Sequence, residues 1–181
     1  MIIIVEGIDR VGKTTLINKL AESCDIRPFV DSYLKFNYLN YVTDTLMTVE
    51  GNRDDIIANT EKINSLLNFL EQFGDRIGNV VFDRLHMSEF VYGANDRNYF
   101  SFEAFNNFDV RLSKLGALIV YVEPKDLEWS SKQHGSNLSY HRSSFEHIID
   151  KSECEVLRCN IDTLDEAVAK IKEKVENNGS N

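Results

Sequence analysis

Residues 1–20, MIIIVEGIDRVGKTTLINKL, decide how the rest of the chain is read. Ile2-Ile3-Ile4-Val5 is an unbroken β-branched run, the pattern of a strand buried on both faces inside a parallel sheet. Gly7-Ile8-Asp9-Arg10-Val11-Gly12-Lys13-Thr14 fits G-x-x-x-x-G-K-[ST], and Thr15 to Leu20 continues with apolar residues at helical spacing. Gly7 and Gly12 can take backbone angles closed to other residues, so successive N–H groups converge on a phosphate. The helix begun at Lys13 turns its positive dipole end toward the same anion. Lys13 carries a mobile charge to the β- and γ-phosphates, and the Thr14 hydroxyl is the expected Mg²⁺ ligand. Gly7, Asp9, Arg10, Val11, Gly12, Lys13, Thr14 and Thr15 are therefore the candidate nucleotide cradle, with ATP and Mg²⁺ as cofactors.

The remaining composition narrows the setting. At 181 residues the chain suits one domain with a single core. A net charge of −9 argues against non-specific adhesion to nucleic acid or an anionic membrane. Phosphate binding must then come from a local site working against the overall field. Cys24, Cys154 and Cys159 are odd in number and form no C-x-x-C pair, which reads as reduced thiols in a cytoplasmic protein. The N-terminal apolar run is too short for a signal or a membrane span, and no longer one follows.

Outward from the first helix, strand and helix patterns alternate. Arg27 to Val30 reads as a short strand ending at Asp31, and Tyr33 to Glu50 is an ambiguous aromatic-rich stretch. Ile56, Ile57, Ile63, Leu66, Leu67 and Leu70 set a helix over Asp54–Phe73, closed by Gly74. Further strands are expected at 79–82, 117–122 and 155–158, and further helices from 87, over 102–115, over 140–149 and over 165–175. The Asn177–Asn181 tail is expected to fray. This order predicts a three-layer α/β sandwich of the P-loop type, a parallel sheet of about five strands with helices on both faces.

Ligands of such sheets bind at the carboxyl ends of the strands. Asp31 and Asp83-Arg84 fall there beside the loop. Asp83 can reach Mg²⁺ or its water shell, though an Asp at that point also serves as a helix cap. A GTPase reading lacks its parts. Asp75-Arg76-Ile77-Gly78 precedes a strand, where it cannot sense a γ-phosphate, and Asn18-Lys19 lies inside the first helix. An Arg after Asp83 suits an anionic acceptor better than a hydrolytic water.

Two stretches resemble one family. Glu6 to Thr15 is similar to the thymidylate kinase phosphate loop, and Asp83-Arg84-x-x-x-Ser88-x-x-Val91-Tyr92 resembles its D-R-x-x-x-S-x-x-A-Y segment. The resemblance implies that Asp9 approaches the deoxyribose 3′-hydroxyl and that Arg10 acts as an arginine finger in cis. It implies that Asp83 organises Mg²⁺, that Arg84 holds the acceptor phosphate, and that Tyr92 packs beneath the sugar against a ribose 2′-hydroxyl. Residues 125–142 would form a short lid carrying Lys132 and Arg142. Such a trimmed lid resembles phage-encoded nucleotide kinases.

The chain also departs from that pattern. Gly93 follows Tyr92 where the family has a polar residue, and no Arg stands within Leu66–Gln72 to read a pyrimidine carbonyl. Phe69 could stack on a base or serve the core, and Glu89 stands near the base edge with Ser88. The base is left open by these differences.

The expected reaction moves the γ-phosphoryl group of ATP·Mg²⁺ to the 5′-phosphate of a deoxynucleoside monophosphate, dTMP or a dUMP-type pyrimidine. Arg10, Lys13, Asp83 and Arg84 carry it by aligning two anions and cancelling their repulsion. Two alternatives stand beside this: a deoxynucleoside kinase using Asp31 as a base on a 5′-hydroxyl, and a nucleotide-binding protein without turnover. The apolar excess on 54–73 and 102–115, together with the resemblance, leads to the expectation of a homodimer.

Overall fold

The computed structural model of the chain describes residues 1–24, 26–28, 53–96, 101–125 and 138–178. In order they form β1 (Ile2–Glu6), α1 (Lys13–Ser23), β2 (Arg27–Pro28), α2 (Arg53–Ile77), β3 (Val80–Asp83), α3 (His86–Asp96), α4 (Phe102–Lys114), β4 (Leu118–Glu123), α5 (Leu138–Ile149), β5 (Glu155–Asn160) and α6 (Leu164–Asn178). A 3₁₀ turn, Ile161–Thr163, leads into α6.

All strand pairs are parallel, in the order β2-β3-β1-β4-β5. Four strands of four to six residues carry the sheet, and β2 is a two-residue edge stub. Among the described residues, the expectation of about five short strands is met by four full strands, with two residues of β2 at the edge. Every residue of β1 is buried, as is β4 through Val122. Successive residues of a strand point to opposite faces, so both faces of the sheet are covered. On the helix side, α1 packs with α6, while α2 meets α4, and α3 meets both α4 and α5.

Several boundaries differ from the expectation. Gly74 does not end α2; the helix runs on to Ile77, and Gly78 at φ +78° turns the chain. A glycine inside a helix costs about 1 kcal/mol against alanine. Burial of Ile63, Leu66, Leu67 and Leu70 outweighs that, and a left-handed glycine is the common stop. α5 starts two residues before Tyr140, and β5 runs two residues beyond Arg158. α6 extends to Asn178, so Asn177 and Asn178, expected to fray, are helical. Asp31, Tyr33–Glu50, Lys132 and most of the expected lid lie outside the described residues.

β1 sits between β3 and β4, and the chain crosses to one side and then to the other of it. That is the switch point at which such sheets open a crevice at their carboxyl edge. The register sets Val5 beside Asp83 and Glu6 beside Tyr121, so the loop after β1 emerges next to the end of β3.

Candidate active site

The loop from Gly7 to Gly12 is shaped by positive φ at three places: Gly7 at +139°, Arg10 at +62° and Gly12 at +103°. A Cβ on Gly7 would stand 2.5 Å from the Val122 carbonyl oxygen, and one on Gly12 would stand 2.7 Å from Ile161 Cδ1. The loop is therefore pressed between β4 and the 3₁₀ turn. Asn160 holds that turn with a capping box: its Oδ1 accepts Asp162 N–H at 3.0 Å, and its own N–H donates to Thr163 Oγ1 at 2.9 Å. Lys19 Nζ and Asp165 Oδ1, 2.6 Å apart, tie α1 to α6 behind it.

Lys13 opens α1 but folds back over the loop, donating to the Ile8 carbonyl at 2.6 Å. It is buried, and burial first, then the charge of Arg84, pull its pKa down to about 7. Asp9, Asp83 and Glu6 act in the opposite sense. Thr14 and Thr15 are exposed on the first turn of α1, Arg10 is exposed on the loop, and Val11 is buried beneath it. Asp83 is exposed at the end of β3. A hydroxyl at Thr14 and a carboxylate at Asp83 are oxygen donors of the kind Mg²⁺ takes, and both face solvent beside the loop.

Arg84 follows Asp83 at φ +69°, a left-handed angle that costs a non-glycine residue roughly 1–2 kcal/mol. Its N–H donates to the Val5 carbonyl at 2.9 Å. The side chain is buried, yet Nη2 pairs with Asp9 Oδ1, and Nη1 donates to Tyr92 OH at 3.0 Å and Ser88 Oγ at 3.3 Å. Burial works against the charge, but Tyr92, Asp9 and Glu6 together raise the Arg84 pKa above its ordinary value. Burial in turn pushes the Tyr92 hydroxyl up to about 12, so it stays neutral at physiological pH. The Tyr92 ring meets His141 at 4.9 Å and Phe145 edge-on at 6.2 Å, which brings α5 against the site.

The sequence reading passed over Glu6. This residue is wholly buried, and its carboxylate accepts the Leu85 N–H at 2.9 Å, the Ser88 N–H at 3.4 Å and the Ser88 hydroxyl. The available signal was a charged residue ending a strand that is otherwise entirely apolar. His86 was passed over too. Its Nε2 lies 3.0 Å from Asp109 Oδ1, both side chains almost fully buried, and Asp109 also accepts the Ser152 hydroxyl and the Glu153 N–H. Burial favours the neutral acid there, but His86 and these donors hold Asp109 below the usual carboxylate range. α3, which carries Ser88 and Tyr92, is thus pinned at its start to both β1 and α4.

Lys13, Asp9, Asp83, Arg84, Ser88 and Tyr92 are brought together. Glu89 is buried on the same helix. Phe69 is half-buried on α2, with its ring 5.3 Å from that of Phe73. Arg142 pairs with Glu146 at 2.7 Å, one turn along α5.

The parallel sheet order and the glycine-bracketed loop after β1 make an α/β fold that resembles that of the P-loop kinases. Among solved structures, the YorR protein of Bacillus subtilis, described in complex with phosphorylated GDP, is similar over 100% of this chain and 99% of its own, at 18% identity and TM-score 0.65. The thymidylate kinase of Candida albicans matches 98% of this chain and 92% of its own, at 20% identity and TM-score 0.52. A deoxyadenosine kinase from M. mycoides, with products dCMP and dCDP bound, matches 98% of this chain and 100% of its own, at 16% identity and TM-score 0.52. At these identities the likeness is one of fold. No protein-family model and no curated protein matches the sequence. Among the described residues, no helix is long and apolar enough to cross a membrane.

Proposed function

We propose that the protein is an ATP-dependent deoxynucleoside monophosphate kinase, with dTMP or a dUMP-type pyrimidine nucleotide as acceptor. The observation that carries this is the buried Arg84, held on one edge by Ser88 and Tyr92 and paired on the other with the half-exposed Asp9. An anionic acceptor can take the place of the Asp9 carboxylate on that open edge, whereas a neutral 5′-hydroxyl has no use for a second buried cation beside Lys13.

Bound in the loop, ATP·Mg²⁺ supplies the phosphoryl group, and Thr14 and Asp83 are the residues that would hold the metal. Lys13 would lie along the β- and γ-phosphates, and Arg10 would offset charge developing between donor and acceptor. A phosphate acceptor is already ionised at neutral pH, so these residues need only align and neutralise. Asp9 is then released toward the sugar hydroxyl, and the Tyr92 ring supports the sugar from below. Ser88 acts on the acceptor through Arg84, because its hydroxyl is already taken by Glu6. Phe69 and Glu89 are left as the candidate base contacts. The protein is further proposed to act in the cytoplasm as a homodimer, through the face of α2 that carries the half-exposed Phe73.

A coupled ADP-release assay over nucleosides and their monophosphates tests the reading. Turnover highest on a deoxypyrimidine monophosphate is expected. Faster turnover on any free nucleoside than on every monophosphate would overturn it in favour of a nucleoside kinase.

A further inference from the structure

The Glu6 carboxylate and the Arg84 guanidinium share one hydroxyl. Ser88 Oγ gives its proton to Glu6 and accepts from Arg84 Nη1 at 3.3 Å. A hydroxyl has a single proton, so the carboxylate that takes it also decides that a lone pair faces Arg84. The same carboxylate holds the N–H groups of Leu85 and Ser88, while Val5 holds the N–H of Arg84 itself. The left-handed backbone at Arg84 is thereby clamped from residues 84 to 88, and its side chain leaves that backbone already anchored.

We propose that Glu6 is a positioning residue for Arg84: through Ser88 and the backbone of residues 85–88 it holds the guanidinium in the pose that receives the acceptor phosphate. This rests on the monophosphate kinase reading above. Glu6 lies on the closed side of Arg84 and is fully buried, whereas Asp9 lies on the open side and is 45% exposed. The two carboxylates therefore divide the work. Asp9 can exchange with a substrate anion, and Glu6 remains in place through the cycle. Its negative charge also offsets that of Arg84 when Asp9 has moved away. A glutamine at this position cannot do the same, since one of its two terminal atoms becomes a donor and the Ser88 proton loses its acceptor.

The test compares wild type with Glu6→Gln and Ser88→Ala. Ser88→Ala leaves the carboxylate on its two backbone N–H groups and cuts only the link to Arg84. Losing a hydrogen bond to a charged group should raise the KM for dTMP about tenfold in both variants, with the KM for ATP changed by no more than about threefold. A purely structural Glu6 would lower the folded fraction or kcat and leave the dTMP KM alone, and that result overturns the proposal. If circular dichroism shows Glu6→Gln unfolded, Ser88→Ala decides by itself. A second readout needs no turnover: the Nη–H signals of Arg84 in an arginine-labelled NMR spectrum, assigned by their loss in Arg84→Lys and carried by the group bonded to Ser88 and Tyr92, should exchange slowly in wild type and broaden in both variants. Wild type inactive on every monophosphate would end the kinase reading, while an unchanged Arg84 signal would end this one.

Discussion

Tyr92 OH accepts a 3.0 Å hydrogen bond from Arg84 Nη1, and its ring centre lies 5.1 Å from Arg84 Cζ. In the proposed reaction one side chain would therefore support the cation that holds the acceptor phosphate and also pack beneath the sugar. The two duties separate by substitution. Tyr92→Phe keeps the ring and should raise the acceptor KM several-fold, up to about tenfold. Tyr92→Ala should also narrow the preference for a deoxyribonucleotide over its ribo counterpart. An unchanged ratio in steady-state kinetics would remove Tyr92 from sugar selection.

Arg10 is exposed on the loop at φ +62°. As an arginine finger in cis it should be worth about 10³–10⁵ in kcat. Arg10→Ala measured at saturating ATP and acceptor checks this. Turnover within tenfold of wild type would assign the role elsewhere.

Lys13 sits with its pKa near 7 against 10.5 for an unburied lysine. Polyphosphate in the loop favours the protonated amine. Binding of ATP should therefore take up a proton, approaching one per chain near pH 8, in calorimetry run in buffers of different ionisation heat. At Lys13 the unfolded state binds the extra proton between about pH 7 and 10.5, so this residue's own contribution to stability should rise with pH across that window, against the opposite contribution of buried groups such as Tyr92 and Cys154 whose pKa is raised. The urea unfolding midpoint of wild type, taken relative to that of Lys13→Met, should therefore rise with pH over this window. Proton release on binding, or a stability difference between wild type and Lys13→Met that does not change over this range, would contradict the lowered Lys13 pKa.

Gly7 and Gly12 should not be equally sensitive. An added Cβ at Gly7 meets the rigid Val122 carbonyl, whereas one at Gly12 meets the movable tip of Ile161. Gly7→Ala should cost roughly 3 kcal/mol or more, and Gly12→Ala about 1–2 kcal/mol from its backbone angle. Equal losses in urea unfolding would show that the loop yields more than its contacts imply.

Within one chain, α2 buries Ile63, Leu66, Leu67 and Leu70, and α4 buries Phe105, Phe108 and Leu112. Among the described residues, Phe73 at 39% and Phe102 at 44% exposure are the large apolar side chains those helices leave outward. Light scattering at micromolar protein should give twice the 20.8 kDa of one chain, and Phe73→Lys should shift it toward one. A mass of one chain for wild type would end the homodimer proposal.

Local physics made much of this legible in advance. The β-branched run of β1, the two glycines around the loop and the Lys-Thr pair at the start of α1 act within a few residues of one another, so their spacing alone implied the strand, the turn and the start of the helix. The periodic stripe on α2 showed its inner face in the same way. Gly74 and Gly78 mark the limit: both are glycine in the sequence, and only burial upstream and the turn into β3 decided which one ends the helix. The pairing of Arg84 with Asp9 joins residues far apart in the chain, and required the register that lays β1 beside β3. Glu6 was visible as a letter from the start. Its meaning came from Leu85 and Ser88, which tertiary folding alone brings to its carboxylate, because a buried charge must find donors wherever the packed chain supplies them.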